Sequence, residues 1–267
     1  MNKYLESYIL NLKVIWEYKT EFFARLIKPI IQIIVLLPVW MGIFKITGRT
    51  EIGGFSQELF ISYIVLATTI RSAVHGWMIT DSITKTIKTG ELTGIITKPV
   101  DYLKLHFSST FAELSMNALY GLGLFTIFSL IANNMNGFYF PTLTNLGLFT
   151  ISTLLSLAIA YATYFMIGCT TFWYGESWSF TGIAFSIQSF LSGEIIPLSI
   201  STTLLTISDF MPFKSMLFTP VSIYLGKYSL MVTIQQMGIQ IIWLAITYTA
   251  ARYVLKKGLK KFESQGG

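Results

Sequence analysis

The sequence predicts an all-α polytopic membrane protein with six transmembrane helices, and three observations carry that prediction. Of the 267 residues, 53% are hydrophobic and only 12% charged, about half the charge of a soluble domain, and the mean hydropathy is +0.61. So few charged groups cannot cover a water-facing surface. The apolar residues are gathered into long runs rather than spaced at period two or 3.6, as a bilayer requires. The basic residues sit between and beside those runs, where they set orientation.

Six runs are read as spans: 26–44, 59–79, 111–132, 143–172, 180–191 with its flanks, and 231–251. A run such as 59–79 rises about 31 Å as a helix, enough for the hydrocarbon core. The fourth run is long and has room to tilt or project. Backbone groups in lipid must be paired within the segment, which selects helices; a barrel would need short alternating segments, and these runs are continuous. Lys3, Lys13, Lys19, Arg25, Lys28, Lys85, Lys88, Lys98, Lys104, Arg252, Lys256, Lys257, Lys260 and Lys261 fall on one side, against Lys45, Arg49, Lys214 and Lys227 on the other. The richer side is read as the cytoplasm, with both termini inside. Trp77, Trp173 and Trp178 at inner ends, and Trp40, Phe138, Tyr139 and Phe140 at outer ends, form the expected interfacial belts. The expected organisation is an interfacial helix over 1–25 and a membrane domain over 26–267, in the cell membrane.

The net charge of +6 is explained by topology and lipid headgroups rather than nucleic acid. Cys169 is the single cysteine and lies in an apolar run, so no internal disulfide forms. The first apolar run begins only after about 25 residues, with no small-residue site behind it, and a cleavable leader is not expected.

Ahead of the first span, Leu5, Ile9, Leu12, Trp16 and Phe23 recur at helical spacing, with Lys3, Glu6, Lys13, Glu17 and Glu21 largely between them. That pattern predicts an amphipathic helix in the inner headgroup layer.

The bridge 84–104, TKTIKTGELTGIITKPVDYLK, joins the second and third spans. Residues 84–89 form a short helix stopped at Gly90, and 91–97 give another turn or two, closed because Pro99 bars helix at Lys98. Asp101 then caps the helix of the third span. The expected result is a short rigid elbow.

After the fifth span, residues 192–227 are apolar but interrupted by Gly193, Pro197, Pro212 and Pro220, with Glu194, Asp209 and Lys214 adding charge. The piece 198–210 is too short to cross a bilayer and fits a half-membrane or interfacial helix, tolerated where protein or a wet cavity surrounds it.

Arg71 and Glu113 lie within the spans. A buried unpaired charge is costly, and the second and third spans as an antiparallel hairpin bring the two to similar depth. They are therefore expected to pair, as a clasp between helices or as part of an inward vestibule. His75, one turn from Arg71, is expected to pack there. Thr68, Thr69 and Ser72 on the second span, Ser186, Gln188 and Ser189 on the fifth, and Gln235, Gln236 and Gln240 on the sixth mark polar faces. Such residues either line a path or serve as packing glue.

No G-x-x-x-x-G-K-[ST] run is present, so the chain has no P-loop with which to hold ATP. No H-E-x-x-H or C-x-x-C is present, His75 and His106 are isolated, and neither a metal site nor a Ser-His-Asp arrangement is expected.

The run Ile87-Lys88-Thr89-Gly90-Glu91-Leu92, then Thr97-Lys98-Pro99-Val100-Asp101, resembles the first cytoplasmic loop of type-2 ABC transporter permeases, in particular six-span bacterial permeases of undefined substrate. A second match is Phe190-Leu191-Ser192-Gly193-Glu194-Ile195-Ile196-Pro197-Leu198, followed by Met211-Pro212-Phe213 and Pro220. The resemblance implies that loop 81–105 carries a cytoplasmic coupling helix seated in a groove of a separate ATPase, with Ile87, Gly90, Glu91, Leu92, Lys98, Pro99 and Asp101 as contacts. It implies an outer re-entrant helical hairpin over 192–227, with Gly193, Glu194, Pro197 and Pro212 as an outer gate. It implies that Thr68, Thr69, Ser72, Ser186 and Ser189 face the pathway or dimer contact. The chain is then the permease of an ATP-driven transporter, most readily an exporter, working with an ABC ATPase subunit, a second permease copy or paralogue, and membrane lipids. ATP and magnesium belong to the ATPase, and no cofactor is expected in this chain. A stand-alone secondary transporter is the alternative, but such proteins carry broken spans in both halves, and only the second half is broken here. A non-transporting scaffold would leave the patterned bridge without a use.

Overall fold

The computed structural model describes residues 3–73, 76–134 and 138–264, and within them the predicted runs are helical apart from a turn at 169–170. His75 lies outside the described residues, as do the side chains of Glu21, Phe23 and Arg25. The chain is a polytopic all-α bundle, with one two-stranded hairpin, Glu51–Ile52 against Phe55–Ser56. Five helices among the described residues are long and apolar enough to cross a membrane: Ile27–Thr47, Gln57–Lys88, Tyr102–Ile131, Leu143–Tyr174 and Leu230–Phe262.

Helix α1 (Lys3–Glu17) is followed by α2 (Lys19–Thr47), so the span predicted from residue 26 continues a helix that has already begun. Gly48, with φ 62°, ends α2. The second crossing is built from α3 (Gln57–Ala73) and α4 (Gly76–Lys88). Helix α5 (Glu91–Ile96) forms the elbow, and α6 (Tyr102–Asn134) returns. Helix α7 (Leu143–Gly168) starts where the Thr142 hydroxyl accepts the Asn145 N–H, a side-chain cap. Helix α8 (Thr171–Tyr174) turns the chain into α9 (Trp178–Leu191).

The predicted fifth crossing is where sequence and structure differ. Helix α9 has 14 residues, about 21 Å of rise, short of a hydrocarbon core of about 30 Å. It ends because Ser192-Gly193 breaks the helix and Pro197 follows. The chain then makes a 3-10 turn at Leu198–Ile200, α10 (Thr202–Asp209), α11 (Pro212–Met216) and α12 (Phe218–Tyr224) before α13 (Leu230–Ser264).

These short pieces dip into the bundle and come back. The Ser199 hydroxyl donates to the Gly53 carbonyl at 2.7 Å, fixing the turn at the end of the molecule that carries the strand hairpin. Ser215 in α11 lies deeper, its carbonyl accepting from Ser156 of α7 at 2.8 Å and from Gln240 of α13 at 2.9 Å. Gly226 is back beside Tyr139 and Asn145, near the start of α7.

Helix α7 is the hub and packs on α13, α4, α12 and α11. The core has two main parts. At the bridge end, Ile79, Ile83, Ile87, Leu92, Phe165 and Phe172 pack together. At the hairpin end, Phe44, Phe55, Phe60, Tyr63, Phe218 and Tyr224 form an aromatic cluster. Helix α1 lies along the base of α6: its Tyr8 ring is 5.8 Å from that of Phe111, and the Tyr4 hydroxyl accepts the Asp101 N–H at 3.3 Å.

Candidate functional site

Two places bring the predicted residues together: the elbow at the bridge end and a charged pair deep in the bundle. The elbow begins at Gly90, whose φ of 76° lies in the left-handed region open to glycine at little cost. A Cβ there would meet nothing within 4 Å, so backbone conformation rather than space selects glycine. Helix α5 then turns Leu92 inward until it is fully buried with Ile83 and Phe165, and Ile87 is buried one turn earlier in α4. Gly90, Glu91, Lys98 and Pro99 stay exposed.

The seven predicted contacts therefore divide. Four present an outer rim. Ile87 and Leu92, expected to touch a partner, instead anchor the elbow in the core, because a six-residue helix beside an apolar bundle holds its place by burying its apolar side chains. Asp101 has a third role. Its Oδ1 accepts the Lys104 N–H at 3.1 Å, capping α6, and its Oδ2 takes the Arg252 guanidinium of α13. Burial works to raise this carboxyl, but Arg252 and the Lys104 N–H together hold it below its ordinary value.

Nearby struts tie the elbow to the rest of the bridge end. The Thr84 hydroxyl bonds those of Thr171 and Ser177, both at 2.8 Å. On the surface, Lys88 pairs with Glu176 at 2.5 Å.

The second place centres on Arg71 of α3. Its Nε lies 3.0 Å from Glu194 Oε2, and both side chains are 11% exposed. The Ser189 hydroxyl donates to the same carboxylate oxygen at 3.2 Å, and the guanidinium lies over the Phe185 ring, 4.6 Å from its centroid. The expected partner was Glu113, and the register of α3 on α6 explains the difference. Thr69 abuts Gly121, and Asn117 donates to the Ala73 carbonyl at 3.2 Å. That register sets Glu113 opposite residue 77, about 9 Å along the axis from Arg71. Glu113 instead lines a cleft with Asn11, Tyr18 and Ser82. Glu194, read from sequence as a gate residue, is the carboxylate at Arg71.

Gly193 stands beside it with φ 83°, and its carbonyl accepts the Tyr63 hydroxyl at 2.5 Å. A Cβ at Gly193 would come 2.5 Å from that hydroxyl, so both conformation and space require glycine. Pro197 is buried ahead of the 3-10 turn, and Pro212 opens α11. A model described as ABC-2 family transporter protein matches residues 26–266.

The chain belongs to the ABC-2 transporter family.

That ABC-2 match takes in both the elbow and the broken segment. It supports a multi-pass transmembrane permease, a membrane subunit rather than an ATPase. A search of the curated proteins finds no match.

Within this ABC-2 permease the predicted path residues separate by face. Thr68 and Ser72 line one cleft with Arg71 and Glu194. Thr69 turns the other way, into an apolar groove between α3, α6 and α7. Ser189 serves Glu194, while Ser186 is exposed and bonds its own helix at the Gly182 carbonyl. Sequence reasoning named Gln240 as a polar-face residue but not the partners that make it a node. Gln240 is fully buried and bonds Ser152, Ser156 and the Ser215 carbonyl, joining α7, α11 and α13. A glutamine with serines inside apolar runs was its signal, but the serine partners come from two other segments.

Proposed function

We propose that this chain is the permease subunit of an ATP-driven exporter, with the elbow as the seat of a separate ABC ATPase subunit. The carrying observation is the elbow's construction: an exposed rim of Gly90, Glu91, Lys98 and Pro99 on a helix fixed by Leu92 and Ile87. A floppy loop absorbs a push, whereas this one hands it to α4 through its anchors, and to α6 and α13 through Asp101 and Arg252. ATP and magnesium stay with the ATPase. A second permease copy or a paralogue completes the working unit in the lipid bilayer.

On this reading the bridge end and both termini are cytoplasmic, as the distribution of Lys and Arg supports. The elbow is then the coupling helix and α1 the interfacial helix. Helix α9 with its flanks makes the fifth of six crossings, and 192–227 forms a re-entrant hairpin closing the outer side. Arg71–Glu194 and Tyr63–Gly193 hold that hairpin down at rest.

Co-purification of a co-expressed ABC ATPase subunit with the intact permease and with a Gly90→Pro, Glu91→Lys variant tests the reading. The variant is expected to lose the ATPase while the Arg71–Glu194 region stays folded. Equal recovery with both chains would overturn the coupling assignment.

A further inference from the structure

Among the described residues, the cleft beside the Arg71–Glu194 pair holds more positive charge than its lining balances. It has a volume of about 140 Å³ and is lined by Lys28, Gln32, Arg71, Trp77, Phe185 and Glu194, among others. Two cations face one carboxylate, and that carboxylate is already engaged by Arg71 and Ser189. No carboxylate among the described residues pairs with Lys28. A lysine at the start of a span ordinarily reaches outward to headgroups. Lys28 instead lies on the cleft side, with Nζ 5.9 Å from the Phe185 centroid, and the same ring carries Arg71.

Lys28 is exposed where the first crossing begins, and a second cation beside Arg71 at the rim of an apolar belt favours an anionic counter-group. At about 140 Å³, the cleft has room for a headgroup and not for a whole lipid. On α2, Ile31 and Val35 follow Lys28 and Gln32 at a spacing of three residues, on the same side of the helix; both are exposed and offer apolar surface for a hydrocarbon tail. We propose that this cleft binds the oxyanion headgroup of an amphiphile, so that the permease's substrate class is an anionic amphiphile carrying a carboxylate or a phosphate. The assignment of substrate rests on the transport reading above; the anion site itself does not.

The test uses the purified full chain in an uncharged detergent, with brominated oleate, brominated phosphatidylglycerol and brominated phosphatidylcholine as quenchers of tryptophan fluorescence. Trp77 lines the cleft, so a Trp77→Phe variant isolates its signal. Saturable Trp77 quenching by either anionic probe, at lower concentration than by phosphatidylcholine, is expected. Quenching by oleate alone assigns a carboxylate, and by phosphatidylglycerol alone a phosphate. Lys28→Gln is expected to weaken the anionic probes about tenfold, a loss of about 1.4 kcal/mol. Gln32→Glu, which adds charge and removes none, is expected to do the same. Lys45→Gln, at the other end of α2, leaves binding unchanged. Equal quenching by all three probes, or anion binding unaltered by both cleft variants, would overturn the proposal. Because no ATPase is present, equal ATPase recovery by the intact chain and the elbow variant, with anion selectivity intact, would count against coupling alone.

Discussion

The elbow and the segment 192–227 both break helices, in opposite surroundings. The elbow lies beyond the apolar belt, with Gly90, Glu91, Lys98 and Pro99 exposed. Its backbone closes on itself, the Gly90 N–H on the Ile87 carbonyl and the Lys98 N–H on that of Ile95, so the structure has only to stop it moving, and two buried side chains and one ion pair do so. The segment 192–227 is inside the bundle, where an opened carbonyl finds a partner in protein or goes without. Tyr63 serves the Gly193 carbonyl, Ser156 and Gln240 serve that of Ser215, and Arg71 serves the Glu194 side chain. The difference teaches where rigidity comes from: apolar burial against water at the elbow, polar pairing against lipid in the broken segment.

The comparison is broken most forcefully at the ion pair. Glu194→Leu leaves Arg71 without this carboxylate and is expected to cost about 3–5 kcal/mol, read as a fall in the thermal midpoint in detergent. Arg71→Leu with Glu194→Leu is expected to recover most of it, since a packed apolar pair replaces a buried ionic one with little penalty. A double variant as unstable as the two losses added would show that the pairing is not what holds the segment.

Leu92→Ala comes next, with an expected local cost of about 3 kcal/mol. Amide exchange over 91–98 should quicken while the bundle's thermal midpoint moves little; a global collapse instead would mean that the elbow is no separate unit. Gly193→Ala follows, at about 1–3 kcal/mol for a left-handed alanine, with loss of the Tyr63 bond visible as faster exchange across 192–200. If it matches wild type, the backbone at 193 is not as constrained as its φ and neighbours imply.

The smallest effect is in pH. The lowered carboxyl of Asp101 binds its proton less readily folded than unfolded, so its contribution is whole above the ordinary value of 3.8 and is lost as pH falls through the lower one. Between pH 5 and pH 3 the wild type should lose more thermal stability than Asp101→Asn. Parallel losses would show that Asp101 does not sense Arg252.

Much of the fold was legible from the apolar runs, because length and continuity are what a bilayer demands of a helix. Gly90, Pro99 and Asp101 likewise marked the elbow by local backbone rules that need no neighbours. What sequence could not supply was partner choice. Arg71 and Glu113 were matched by depth in adjacent helices, yet the carboxylate arrives 123 residues later in the chain, carried back to mid-bundle by the break after α9. Ile87 and Leu92 looked like contact residues because they sit in the bridge motif, and only packing reveals that they face inward. The fifth run ends at Leu191 as read, with Gly193 marking the break, but its flanks do not lengthen the 14-residue helix into a full crossing.

The surface strut between Lys88 and Glu176 has a consequence of a different kind. Its side chains are 52% and 61% exposed, so mobile ions gather around them, and at physiological ionic strength the Debye length is about 8 Å. Arg71 and Glu194, at 11% each, are shielded from those ions. Raising salt therefore weakens the strut beside the elbow and leaves the buried pair nearly untouched, while Leu92 and Ile87, held by apolar burial that no mobile ion screens, keep the elbow in its place.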